Sequence, residues 1–245
     1  MTITVGVFGA GGRMGATVCA AIEADPALTL VARVDPHVPG CLASPDGSDA
    51  EVWVDFTVLA AARANLAWCA ANARHAVVGT TGFTADDIAE CRQAFNRSNC
   101  LIAPNFAIGA VLMMSFAERA APFFETVEVI ELHHDSKIDA PSGTAAATVE
   151  RMAAASSDWA PDPTRHETIA GARGARAAGG IRVHSVRLRG LVAHQEVIFG
   201  TMGQSLTIRH DSYDRSSFMP GVLLAVKAIG KRPGVSVGLE SVLDI

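Results

Sequence analysis

Lysine is nearly missing from this chain: three (Lys137, Lys227 and Lys231) stand against seventeen arginines in 245 residues. The formal net charge of -5 leaves no basic surplus, which argues against a general nucleic-acid binder with its concentrated cationic face. Long hydrophobic runs are also lacking. The longest, residues 106–116, falls far short of the roughly 20 apolar residues of a membrane span, so no membrane partner is expected. The start, Met1-Thr2-Ile3-Thr4-Val5, shows no basic leader ahead of an apolar stretch, which predicts a cytoplasmic protein. Cysteine is sparse, and Cys19, Cys41, Cys69, Cys91 and Cys100 form no Cys-x-x-Cys pair. Neither a disulfide framework nor a structural zinc is expected, and small buried residues are the simplest reading of them. What is plentiful is hydrophobic: 49% of residues, against 18% charged. Such a chain folds, and its length allows one elaborated domain or two modest ones. Small-molecule chemistry is the expectation that remains.

Apolar runs at 3–8, 28–34, 52–56, 76–78 and 101–103 predict strands, and Ala-rich stretches at 14–24, 59–73 and 85–95 predict helices between them. Strand and helix in alternation predict a parallel sheet covered on both faces. Beyond residue 103 the pattern changes. Strands at 127–132, 181–188, 196–199 and 206–209 are separated mostly by turns, and residues 156–180, rich in Ser, Pro, Gly, Ala and Arg, read as a long connection and a candidate lid. The fold class predicted is α/β: a Rossmann-like nucleotide-binding domain plus a second α+β domain with an open mixed sheet.

Between the first strand and the first helix lies Gly9-Ala10-Gly11-Gly12-Arg13-Met14-Gly15, a variant of the dinucleotide fingerprint. Glycine lets the backbone turn tightly and approach a pyrophosphate, whose charge suits the positive end of a helix. Asp35 ends the second strand 35 − 15 = 20 residues past Gly15, where a ribose hydroxyl is bound. A carboxylate there favours the ribose diol of NADH and repels the 2′-phosphate of NADPH. Arg13 is the one nearby fixed cation, so NADH preference, with use of both cofactors as the alternative, is expected.

Three further strand ends face the same side: Asp55-Phe56-Thr57, Gly79-Thr80-Thr81-Gly82 and Ala103-Pro104-Asn105-Phe106. Ligands of open α/β sheets lie at the carboxyl ends of the strands, so these loops outline a cleft, with Phe56 placed to pack against a nicotinamide. Taken singly, each is also ordinary turn chemistry.

Chemistry concentrates in Glu131-Leu132-His133-His134-Asp135-Ser136-Lys137-Ile138-Asp139-Ala140-Pro141-Ser142-Gly143-Thr144. Ser142 is a good N-cap for a helix over 142–152, and the backbone N–H groups of Gly143 and Thr144 suit a carboxylate. Lys137 offers a charged hydrogen bond or a proton, and an imidazole near neutrality delivers a proton during turnover. The pattern fits a small dicarboxylate with a reducible double bond. Adjacent strand residues point to opposite faces, so His133 and His134 diverge unless the strand has ended. The pair has no third ligand at suitable spacing, so no metal is expected.

With these motifs in this order and spacing, the chain resembles the 4-hydroxy-tetrahydrodipicolinate reductase (dihydrodipicolinate reductase) family of diaminopimelate and lysine biosynthesis. The resemblance implies hydride transfer from NADH or NADPH to the ring of the dicarboxylate, after loss of water from the 4-hydroxy form, giving tetrahydrodipicolinate. It implies His133 as proton donor and acceptor, Lys137 as the proton-donating lysine, His134 as a substrate contact and Gly143-Thr144 as the carboxylate cradle. It places the cofactor on Gly9, Ala10, Gly11, Gly12, Arg13, Met14, Asp35, Gly79, Thr80, Thr81, Ala103, Pro104, Asn105 and Phe106. It also implies a nucleotide domain of 1–106 and 217–245, a substrate and oligomerisation domain of 107–216, and a homotetramer built on the second sheet. Ser136 departs from the family, whose members often carry a further His there. The arginine-rich stretch from Arg165 to Arg215, eight arginines against four acids, either attracts anions or is a solvated surface.

Two rivals stand beside this reading: another small-substrate dehydrogenase of the same plan, and a nucleotide sensor without turnover. The second carboxylate cradle argues against the first, and His133 with Lys137 against the second.

Overall fold

The structure, a computed structural model, describes residues 2–245. It divides into two compact units, one reaching Ile108 and resuming over Arg215–Ile245, the other Gly109–Asp214.

The first unit begins β1 (Ile3–Phe8), α1 (Arg13–Ala24), β2 (Leu28–Val34), β3 (Val52–Asp55), α2 (Leu59–Ala71), β4 (His75–Val78), α3 (Ala85–Ala94) and β5 (Cys100–Ile102). All residues of β3 and β5 are buried, as strands covered on both faces must be, and this is why, apart from Asp55 at the end of β3, they appear in the sequence as apolar runs. Local chemistry sets the helix ends. Thr84 accepts from the Asp87 N–H while the Asp87 carboxylate accepts from the Thr84 N–H, a capping box that starts α3. Helix α2 stops two residues earlier than its composition predicts, because Ala73 turns to a φ of 51° and Arg74 N–H bonds back to Cys69 O at 2.8 Å.

The second unit holds α4 (Ile108–Ala120), which starts at its edge, then β6 (Thr126–His133), α5 (Gly143–Ala155), β7 (Ala175–Arg176), β8 (Arg182–Arg187), β9 (Ala193–Thr201) and β10 (Gln204–Ser212). The order is β10-β9-β6-β8-β7, with β6 and β8 parallel and the remaining pairs antiparallel. One face packs Val127, Val129, Val197 and Phe199 against Val149 and Met152 of α5. β9 and β10 run past the apolar stretches that predict them, since they form a hairpin whose turn residue Gly203 has a φ of 78°. Residues 156–180 are tied to this sheet: Arg173 pairs with Glu128 at 2.5 Å and Arg182 with Asp162 at 2.6 Å. Between this connection and the strands lies a cavity of about 340 Å³ lined by Trp159, Pro161, Pro163 and Ile198.

The chain then returns to the first unit as α6 (Met219–Ala228), β11 (Val235–Val237) and α7 (Glu240–Leu243). All six strands of that sheet are parallel in the order β11-β5-β4-β3-β1-β2. The chain crosses from β2 over β1 to β3, so the switch in strand order falls between β1 and β3. That places the loops after these two strands side by side, at the position where doubly wound sheets bind ligands. Behind them Phe8 stacks on Trp53 at 4.5 Å between ring centroids.

Candidate active site

In the first unit the glycine loop is shaped by contacts that no side chain could share. A Cβ on Gly15 would lie 2.0 Å from Gly9 O, and one on Gly11 would lie 2.5 Å from Val38 Cγ2. Gly9 itself has a φ of 71°, a region that glycine enters without strain. Helix α1 starts at Gly12 with no side-chain cap, leaving first-turn N–H groups for an anion. Gly11, Gly12 and Arg13 are exposed, Met14 is half-buried, and the small side chain of Ala10 is buried. Asp35 belongs to this loop: its Oδ2 accepts from Gly11 N–H and its Oδ1 from His37 N–H, each at 3.2 Å.

The neighbouring loops are knitted by a residue to which the sequence assigned no role. Asp55 is 2% exposed, and its Oδ1 accepts from Thr57 N–H at 2.9 Å, Thr57 Oγ1 at 2.8 Å and Thr80 Oγ1 at 2.7 Å. Its Oδ2 accepts from Asn65 Nδ2 at 2.7 Å. Thr80 is therefore buried with its hydroxyl committed, whereas Thr81 is exposed. The Phe56 ring covers Gly79, where a Cβ would meet it at 2.0 Å, and lies 5.8 Å from the Phe106 ring. Phe106 is buried, Ala103 is buried and bonds through N–H to Val78 O, Pro104 is exposed and Asn105 half-buried. The expected residues from Gly9 to Thr81 thus gather at the switch between β1 and β3.

In the second unit, β6 ends at His133 and α5 begins after Ser142, whose Oγ accepts from Ala145 N–H at 3.2 Å. Gly143 is exposed, and a Cβ there would meet nothing within 4 Å. Thr144 follows it, half-buried, in the first turn. Lys137 Nζ sits 2.8 Å from both oxygens of Asp139. His134 points out to solvent, and its Nδ1 is 2.8 Å from Ser136 Oγ, so the residue that departs from the family pattern holds this ring. The strand ends at His133, so its alternation does not extend to His134; His133 is largely covered and His134 exposed.

Two residues that sequence reasoning left without a role join these parts. Glu131 is fully buried. Arg187 grips it with two bonds of 2.9 and 2.8 Å, His133 Nδ1 lies 2.5 Å from Oε2, and Ser142 N–H donates to Oε1 at 3.3 Å. Burial pushes the Glu131 carboxyl up, but bonds from Arg187, Ser185 and His133 prevail and hold it below the usual range. For His133 burial prevails and lowers its basicity, with Lys137 and Arg187 adding to this and Glu131 opposing it. Among the described residues no group of three or more His, Cys, Asp or Glu side chains is placed to hold a metal.

Family-wide sequence comparison matches residues 3–106 to "Dihydrodipicolinate reductase, N-terminus" and residues 109–243 to "Dihydrodipicolinate reductase, C-terminus". The chain is 56% identical over its whole length to the 4-hydroxy-tetrahydrodipicolinate reductase of Nocardia farcinica, itself covered completely. It is 54% identical to that of Mycobacterium sp. (strain JLS), over 98% of this chain and 99% of the relative. Dipicolinate-bound dihydrodipicolinate reductase from Paenisporosarcina sp. TG-14 superposes with a TM-score of 0.91 at 38% identity, covering 98% and 99% of the two chains. An amine dehydrogenase from Mycobacterium smegmatis, 12% identical with a TM-score of 0.62, shares the fold alone. With both family halves matched in order, the chain belongs to the 4-hydroxy-tetrahydrodipicolinate reductase family, oxidoreductases of diaminopimelate and lysine biosynthesis.

Proposed function

We propose that this reductase takes its proton from His133, assisted by Lys137, and holds its dicarboxylate substrate on Gly143, Thr144 and His134. The observation that carries this reading is the buried Glu131, which ties His133 to the start of α5. A carboxylate at the first turn of α5 meets backbone donors and the positive helix end. Lys137 lies six residues before Gly143 on the connecting loop, where its ammonium can exchange Asp139 for a substrate carboxylate. Lowered basicity makes His133, when protonated, the stronger acid toward a carbon or nitrogen that gains electrons.

The glycine loop fits a dinucleotide: a Cβ at Gly15 or Gly11 would collide with Gly9 O or the Val38 side chain and force the tight loop open, and α1 starts without a side-chain cap. When bound, the reduced nicotinamide supplies the hydride. Phe56, Thr81 and the backbone from Ala103 to Phe106 would border it, and Asp35 would bind the ribose diol. That carboxylate supports NADH as the preferred reductant, with Arg13 the residue through which NADPH would also be used. Free thiols, four of five buried, are in keeping with a cytoplasmic enzyme. A homotetramer built on the second sheet is in keeping with the exposed Leu206 and Met202 on the β9–β10 hairpin.

The test is a coupled assay fed by dihydrodipicolinate synthase, following NADH and NADPH oxidation in parallel. His133→Gln and Lys137→Ala are each expected to lower turnover by about 10²-fold or more while NADH still binds. Near-normal turnover in both variants would remove the assignment.

A further inference from the structure

We infer that Glu131 and Arg187 are positioning residues for this reaction: Glu131 aims the His133 ring and fixes which nitrogen carries hydrogen, while Arg187 locks Glu131 and ties the Lys137 loop to it. The inference rests on the reading of His133 as the proton carrier.

The strand itself has no need of a carboxylate at 131. Val127, Val129 and Glu131 lie two residues apart on the buried face of β6, and the first two positions are filled by valine. An ionised group in that place costs folding energy unless it is fully paired. Glu131 is paired on both oxygens, and besides Ser185 on β8 its partners are parts of the candidate site: His133 Nδ1, the Ser142 N–H that opens the carboxylate cradle, and Arg187. An ionised carboxylate only accepts, so His133 Nδ1 must carry the hydrogen. That leaves Nε2 as the nitrogen that exchanges a proton with substrate.

Arg187 reaches further. Besides Glu131, its Nη2 donates to Asp139 O at 2.6 Å and its Nε to Lys137 O at 3.3 Å. One planar guanidinium therefore binds the support of His133 and the backbone on either side of Ile138, setting where Lys137 stands. A lysine ammonium lacks that fork and cannot hold the same set.

The charged groups facing His133 are Glu131 on its own strand, Lys137 from the following loop and Arg187 from β8; its register partner on β9 is Ala193, which has no charge. Removing the Glu131 charge leaves two cations against the imidazole, so the proton is held less tightly.

Ring nitrogen-15 NMR of His-labelled wild-type enzyme, above the pH at which His133 titrates, is expected to show the Nδ1–H tautomer. The Nε2–H tautomer would overturn the inference without any variant being made. Glu131→Gln is expected to lower kcat by about 10- to 100-fold, as loss of an orienting partner does, with KM for NADH unchanged and the alkaline limb of kcat/KM moved to lower pH. Arg187→Ala should lose kcat and raise KM for the dicarboxylate, and Arg187→Lys should not restore them. Wild-type kcat and an unmoved limb in Glu131→Gln, or full activity in Arg187→Lys, would also overturn it. If His133→Gln is inactive while these variants are normal, the positioning role alone fails. If His133→Gln is itself active, the proton-carrier reading fails with it.

Discussion

The Thr80 hydroxyl donates to the buried carboxylate of Asp55 across 2.7 Å, joining the end of β4 to the end of β3. The same carboxylate collects Thr57 through its N–H and hydroxyl, and Asn65 from α2. Two loops that border the proposed nicotinamide site are thus held by one acid. Asp55→Ala removes the acceptor that the Thr57 N–H and Asn65 Nδ2 share and leaves the Thr80 and Thr57 hydroxyls only their longer bonds to Thr57 O and Val58 O. The expected loss is roughly 1–3 kcal/mol in chemical denaturation of the full chain, the usual result of stranding buried polar groups, with a raised KM for NADH. A variant with wild-type stability and KM would show that the loops hold themselves.

Glycine positions in the two proposed binding loops make opposite predictions. At Gly15 a methyl group would collide with Gly9 backbone at 2.0 Å, so Gly15→Ala must move the loop itself. The expected result is loss of NADH binding, read by fluorescence titration. At Gly143 a methyl group meets nothing within 4 Å, and alanine is the better helix former. Gly143→Ala should keep or slightly raise the melting temperature. Any rise in KM for the dicarboxylate then reports substrate contact and not misfolding.

Asp35 is expected to set reductant choice. Its oxygens already hold Gly11 and His37 backbone, which points the carboxylate into the glycine loop. Removing a hydrogen bond to a charged group costs about 1.5–3 kcal/mol, which is roughly 10- to 100-fold in affinity. Asp35→Ala should therefore lower kcat/KM with NADH by that order and with NADPH by much less. Equal losses with both would mean that Asp35 serves only the loop.

How much of this was legible in the sequence depends on where each residue finds its partner. The glycine loop, the central strands and the Pro141-Ser142-Gly143-Thr144 helix start were readable because their causes are local: a turn, a continuous apolar run, a cap. Helix α4 gave no clear signal, since Ile108–Ala120 buries residues around much of its circumference, and an apolar run of that kind lacks amphipathic periodicity. The polar ends of β9 and β10 were missed because their pairing comes from the opposite strand of the hairpin. Arg187 disappeared into a count of eight arginines against four acids. Yet Arg173, Arg182, Arg187 and Arg189 pair with Glu128, Asp162, Glu131 and Asp135, all outside that window. Arg209 pairs with Glu196 and Asp211 inside it. Five of the eight arginines are thus matched by acids, four of them by acids outside the window, while Arg165, Arg176, Arg189, Arg209 and Arg215 stand exposed.

Stability should fall on both sides of a plateau near neutral pH. Burial lowers the basicity of His75, His133 and His210, so the folded chain binds fewer protons than the unfolded one below the ordinary histidine value of roughly 6.5. Their contribution is present above that value and is lost as pH falls through the folded values. Glu131 is also held below its ordinary value, so its contribution lies above roughly pH 4.3 and is lost as pH falls further. On the alkaline side, burial raises the thiols of Cys19, Cys69, Cys91 and Cys100. Their contribution is complete below roughly pH 8.5 and is lost as pH rises through the folded values. Thermal unfolding followed from pH 3 to 10 should therefore show a Tm that is flat between about 6.5 and 8.5, the span those reference values leave untouched. It should decline gradually below that span and more steeply in the glutamate range. A Tm that rises on acidification from 7 to 5 would contradict the assignment of His75, His133 and His210 as groups held neutral by the fold.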